Sequence, residues 1–135
     1  MKTLLVFCAA FAISTSTAMA GSFSGNWPIT VSGSQRSNGS YCLTVKDDGS
    51  VGWPHSGYVS LTGPSHLNLP FGTFQVIGRT FTVTVEQEGS EGQNAGLVFS
   101  ARVRAGSIGD GVYDQVYGGE ESDSGAAAFG AKGGC

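Results

Sequence analysis

Residues 79–86 read RTFTVTVE. Phe81, Val83 and Val85 share one parity, and Thr80, Thr82 and Thr84 share the other. A period of two puts the apolar side chains on one face of a strand and the threonines on the other, as in a sheet with one face buried and one wet. The same alternation recurs outward in both directions. In SFSGNWPITV (residues 22–31) Phe23, Gly25, Trp27, Ile29 and Val31 form the inward face. In SYCLTVK (residues 40–46) it is Tyr41, Leu43 and Val45, which leaves Cys42 on the other side. In AGLVFSARVR (residues 95–104) Leu97, Phe99, Ala101 and Val103 oppose Ser100, Arg102 and Arg104.

Weaker strand patterns cover 51–61, 71–77, 108–117 and 126–132, and no helical period competes with them after residue 20. All 22 glycines fall in that same part of the chain, against a usual share of ~7%. They punctuate the apolar runs instead of forming tracts, which is the layout of short strands joined by tight turns. Asn38-Gly39, Asp47-Asp48-Gly49-Ser50 and Ile77-Gly78-Arg79 read as turns, and EQEGSEGQN (86–94) reads as a longer polar tip. The tally is eight strands with short connections. The expected fold is therefore all-β, an antiparallel up-and-down meander closed into a barrel, because closure removes both sheet edges. A β-sandwich is the alternative. Pro28 and Pro54 each remove a ladder donor and call for an edge or a bulge.

The first twenty residues, MKTLLVFCAAFAISTSTAMA, have the layout of a secretory signal. Lys2 supplies the charge, Leu4 to Ile13 the apolar run, and Ala18-Met19-Ala20 the cleavage site. Residues 1–20 are thus expected to be removed, leaving one domain over 21–135 in the periplasm or outside the cell. The apolar run is shorter than the ~20 residues a membrane span needs, so no span is expected in the mature protein. Removal also takes Cys8, leaving Cys42 and Cys135 as the expected disulfide. A crosslink of that span stabilises by about 4–5 kcal/mol in the chain-entropy model. The formal charge of −3 becomes −4 once Lys2 leaves. The basic residues are scattered singly apart from Arg102 and Arg104, which gives no footprint for nucleic acid.

The opening FSGNW, with Phe23, Gly25 and Trp27, resembles the Phe-x-Gly-x-Trp start of the lipocalin and avidin-like barrels, the calycins. The resemblance implies an up-and-down barrel whose Trp27 packs across the closed end beneath a basic residue of the last strand, here Lys132. The Ser24-Gly25-Asn26-Trp27 opening is equally similar to that of small periplasmic protease inhibitors, which share such a barrel and one disulfide. Avidin-type biotin binding is not implied, because no tryptophan follows Trp53.

Candidate binding residues lie in two places. In GVYDQVYGG (residues 111–119) Tyr113, Gln115 and Tyr117 share one face. Pointing them inward avoids burying Asp114 and lines a pocket with two rings carrying polar tips. Trp53-Pro54-His55 with Tyr58 offers aromatic surface for a sugar or a partner protein. The plain alternative in both cases is that these rings only fill the core. Glu120, Glu121 and Asp123 fall in a Gly-flanked stretch expected to be a loop, whose spacing matches no calcium motif. His55 and His66 are the only histidines, and no nucleophile carries a catalytic motif. The expectation is a non-enzymatic binding module without cofactor or metal, taking a small apolar or mixed molecule or a protein. The alternatives are an inhibitor-like barrel acting on a hydrolase and a structural envelope protein without ligand.

Overall fold

The computed structural model of the protein describes residues 23–47, 55–87, 95–117 and 120–135. Eight strands follow in chain order: β1 (Gly25–Ser32), β2 (Gly39–Asp47), β3 (His55–Thr62), β4 (Asn68–Ile77), β5 (Thr80–Gln87), β6 (Ala95–Arg104), β7 (Ser107–Tyr117) and β8 (Glu120–Phe129). Each pairs antiparallel with the next, and β8 returns to β1, so the sheet closes into an up-and-down barrel and the sandwich is set aside. A strand with one apolar face must bury it, and a sheet of eight such strands does so by curling on itself. One turn of 3-10 helix, Pro64–His66, joins β3 to β4.

The alternating residues named above face inward. Trp27, Ile29, Val31, Leu43, Phe81, Val83, Val85 and Phe99 are all buried. A succession of ring contacts fills the axis of the barrel. Phe23 meets Phe81 at 5.7 Å between centroids, and Phe81 stacks on Phe74 at 5.4 Å. Phe129 meets Phe81 and Phe99 edge-on, and Phe99 meets Tyr113 at 5.4 Å. Such offset and edge-on pairs contribute beyond the area they bury.

At the end of the barrel where the chain enters, the Trp27 indole N–H donates to the Phe23 carbonyl at 2.9 Å. That bond folds the first described residue under the barrel. Gly25 has the same parity as Trp27 and no side chain, and the Lys132 stem lies where one would be. A Cβ at Gly25 would stand 2.8 Å from the Lys132 Cδ. The aliphatic stem of Lys132 therefore packs over Gly25, two residues before Trp27.

Pro28 and the tail explain each other. The β1–β8 ladder runs only from Ile29 to Ser32. Within a strand the N–H and C=O of one residue point the same way, and the Pro28 carbonyl accepts from Gly130 N–H at 2.8 Å. The missing Pro28 N–H therefore faces the side where β8 has already ended, and the β1–β2 ladder loses nothing. Beyond Gly130 the chain crosses β1 over the Pro28 ring. A Cβ at Gly130 or Gly134 would stand 2.7 or 2.9 Å from the Pro28 Cγ, so the crossing requires residues without side chains there. Gly133 N–H donates to the Asn26 carbonyl at 2.7 Å, and the tail arrives at Cys42, the residue opposite Pro28 in β2. The Cys42–Cys135 disulfide forms there, with the Cα atoms 5.9 Å apart.

Three expectations need correction. The last strand covers Glu120–Phe129 and not 126–132, so the acidic stretch is strand and not loop. Backbone pairing with β7 is indifferent to acidic side chains that point to solvent, as those of Glu120 and Glu121 do. Ala131, within the expected 126–132 strand, is exposed, because the chain has already left the sheet. Finally, Asn38-Gly39 does not make a two-residue hairpin. Residues 33–38 form a wider loop in which the Asn38 side chain bonds both backbone groups of Ser34, at 2.8 and 2.9 Å.

Candidate functional site

Tyr113, Gln115 and Tyr117 start from one parity but end in three environments. Tyr113 is fully buried, Gln115 is half-buried, and Tyr117 is exposed. The register shifts between Gln115 and Val116, where Ser122 is the extra residue on β8, so the shared face ends there. The tyrosine-inward arrangement holds for Tyr113 alone, with Val112 outside. Tyr58 lies exposed on the outer wall of β3, on the opposite side of the sheet surface from the buried Tyr113 ring. Trp53 and the His55 side chain lie outside the described residues. The four described candidates, Tyr58, Tyr113, Gln115 and Tyr117, are thus not gathered in one place.

The polar tip of Tyr113 meets a structured loop. Its hydroxyl donates to the Ser37 Oγ at 2.7 Å, and the Tyr41 hydroxyl donates to the Ser37 carbonyl at 2.7 Å. Burial pushes both phenols above their ordinary pKa. Residues 33–38 cover this end of the barrel, and Asp123 anchors them from β8. Its carboxylate accepts from the Ser34 hydroxyl, from Gln35 N–H at 3.0 Å, from Arg36 N–H at 3.2 Å and from Ser124 N–H at 2.9 Å. Those donors, the Ser34 hydroxyl first, lower its pKa to about 2. The Ser34 hydroxyl in turn accepts from Ser37 N–H at 2.9 Å. The first three bonds to Asp123 hold the loop, and the one from Ser124 ties the carboxylate to its own strand. The stretch considered for a cation therefore works as a tether: Asp123 faces inward, while Glu120 and Glu121 face solvent.

A different constellation stands on the outer wall. Lys46, Tyr58, Thr73 and Thr84 form one row across β2, β3, β4 and β5, each paired with the next. In β4 the alternation should place Phe71 inward, because Leu69 is buried two residues before it. Instead, Val59 pairs with Gly72 and Leu61 with Leu69, so Pro70 and Phe71 together oppose Ser60. That bulge inserts one residue, resets the parity so that Phe74 and Val76 face inward, and turns Phe71 out. Proline suits the position, since a bulge needs no ladder donor there. Phe71 and Tyr58 are 65% and 69% exposed. With Pro70 and Gly72 between them, and Lys46, Thr73, Thr84 and Glu86 around them, they line an open groove of about 480 Å³. The groove offers two aromatic faces, hydroxyl groups of two threonines, one cation and one anion.

Residue patterns alone pointed to Tyr58 but missed Phe71 and the Ser34–Asp123 tether. Leu69 and Phe74, both apolar and five residues apart across a proline, carry the signal for Phe71, since odd spacing cannot keep one face without a bulge. The tether joins residues 89 apart in sequence and left no local mark.

The eight-stranded closed barrel is compatible with the calycin-like architecture suggested by Phe23, Gly25 and Trp27. In comparisons with known proteins, no family model, curated protein or solved structure matches the chain.

Proposed function

We propose that the protein is an exported, non-enzymatic binding barrel of calycin-like build that takes its ligand on the outer wall, in the groove between Tyr58 and Phe71. The observation that carries this reading is the β4 bulge, which turns an aromatic ring from the core side to solvent beside a second exposed ring. Exposing Phe71 forgoes the roughly 1.5–3 kcal/mol that burying such a side chain contributes. A bulge that re-aims a side chain in this way is characteristic of binding positions. The interior is less suited to a ligand, because Phe23, Phe74, Phe81, Phe99, Phe129 and Tyr113 occupy its axis. The Cys42–Cys135 disulfide fits the oxidising compartment that export implies.

The ligand class follows from the groove lining. Two flat apolar faces flanked by Thr73, Thr84, Lys46 and Glu86 suit a molecule with an apolar face and polar edges. A saccharide ring has that build: its C–H face stacks on an aromatic ring while its hydroxyls meet the polar rim. Screening immobilised glycans with the wild-type protein and with a Tyr58→Ala/Phe71→Ala variant tests the reading. Retention by the wild type that falls at least tenfold in the variant is the expected result. Equal retention by both, or none by the wild type, rejects it. Both side chains are exposed, so the variant keeps its core.

A further inference from the structure

The mature chain is acidic, yet three of its basic residues converge at one place. Arg79 sits in the two-residue turn between β4 and β5, and Arg102 and Arg104 lie at the end of β6. The three arginines, with Val103 and Ala105, line a pocket of about 370 Å³. It lies at the end of the barrel opposite the Asp123 tether, apart from the aromatic groove.

Four backbone features hold the arginines in place. Gly78 takes a positive φ of 62° to make the tight turn that presents Arg79. Val103 N–H donates to the Arg79 carbonyl at 2.8 Å, which clasps that turn onto β6. On the other side, Ala101 pairs with Gly111 and Val103 with Ile108, so Gly109 and Asp110 together oppose Arg102 in a bulge. Ala105 follows at φ 48°, a left-handed conformation that an alanine adopts only under constraint. Asp110 lies across the ladder from Arg102. Even so, none of the three guanidinium groups has an ion-pair partner among the described residues.

Three like charges gathered around one concavity repel each other, and the turns that gather them hold that arrangement without a counter-ion among the described residues. A guanidinium presents donors in a planar fork that matches a tetrahedral oxyanion two bonds at a time. The geometry points to a binding site for a phosphoryl group at Arg79, Arg102 and Arg104. Its charge meets three cations there, on a surface whose remaining charges are mostly acidic. The group is either borne by a soluble molecule or displayed on a lipid surface, and the chemistry of recognition is the same.

Titration calorimetry of the full chain with inorganic pyrophosphate at low ionic strength is the test, alongside co-sedimentation with phosphatidylglycerol vesicles. The wild type is expected to bind pyrophosphate, with affinity falling as salt rises. Arg102→Gln/Arg104→Gln weakens binding at least tenfold, and Arg79→Gln weakens it several-fold. Arg36→Gln, at the other end of the barrel, leaves it unchanged. Vesicle binding that pyrophosphate displaces assigns the phosphoryl group to a lipid surface; pyrophosphate binding without vesicle binding assigns it to a soluble ligand. Absence of pyrophosphate binding overturns the site, as does equal weakening by Arg36→Gln. All three arginines are exposed, so the variants leave the core intact.

Discussion

Asp123 is a buried carboxylate of β8 that holds loop 33–38 through Ser34, Gln35 and Arg36. Its pKa lies at about 2 in the folded protein, below the ordinary aspartate value of 3.8 that applies to the unfolded chain. A depressed folded-state pKa means that the unfolded chain takes up its proton first as pH falls. The stabilisation is therefore complete above about pH 4, is lost as pH falls from there towards 2, and is absent below both values. Asp123→Asn removes this dependence. Urea midpoints of wild type and variant should differ most at pH 5–7 and converge as pH drops to about 2. A gap that stays constant with pH would assign the tether's contribution to shape and not to charge. Tyr113 belongs to the same end of the barrel: Tyr113→Phe loses one hydrogen bond to Ser37 and is expected to cost about 1 kcal/mol.

At the scale of elements, the closing seam between β1 and β8 is the weak place of the sheet, since its ladder covers only Ile29–Ser32. The tail compensates by crossing β1 at Pro28, where two glycines leave room for the ring. Gly130→Ala puts a methyl group against Pro28, and it should destabilise the protein by about 1–3 kcal/mol. Pro28→Ala makes space for that methyl. In a double-mutant cycle by chemical denaturation, Pro28→Ala/Gly130→Ala should therefore be less destabilised than the sum of the singles. Strict additivity would mean that the ring and the tail do not touch. The β4 bulge is the other element-level device. It uses Pro70 and Phe71 to turn one side chain outward while keeping Leu69 and Phe74 inside.

For the molecule as a whole, the disulfide joins the end of the chain to the second strand across almost the full length of the domain. Its main effect falls on the unfolded chain, whose freedom it restricts. The Cys42→Ser/Cys135→Ser protein should remain a barrel, because the ring stack and the ladders do not involve the sulfurs. Its unfolding free energy should fall by about 4–5 kcal/mol, measured by urea denaturation with circular dichroism. A loss of β signal without denaturant would instead show that closure itself depends on the crosslink. The groove of Tyr58 and Phe71 and the pocket of Arg79, Arg102 and Arg104 occupy different parts of this scaffold. Each can therefore be altered without touching the core.

The fold class was legible in residue parity. Phe81, Val83 and Val85 against threonines, repeated around Trp27, Leu43 and Phe99, demand strands with one buried face; eight of them favoured closure but left a sandwich open, and the pairing of β8 with β1 decided it. The disulfide was legible because only Cys42 and Cys135 remain after the expected cleavage of residues 1–20. Period-two patterns are local, and burial enforces them, so they survive in the chain itself. The proposed binding surfaces were not legible in the same way. Tyr113 and Tyr117 share a parity that the Ser122 bulge breaks, and Phe71 leaves the core through a bulge of its own. A bulge is settled by how two strands pair, not by either strand alone. Arg79 meets Arg102 and Arg104 only because antiparallel pairing sets one turn beside the next. Local chemistry determined which face of each strand is apolar; register, which depends on the partner strand, decided which side chains meet on the outside.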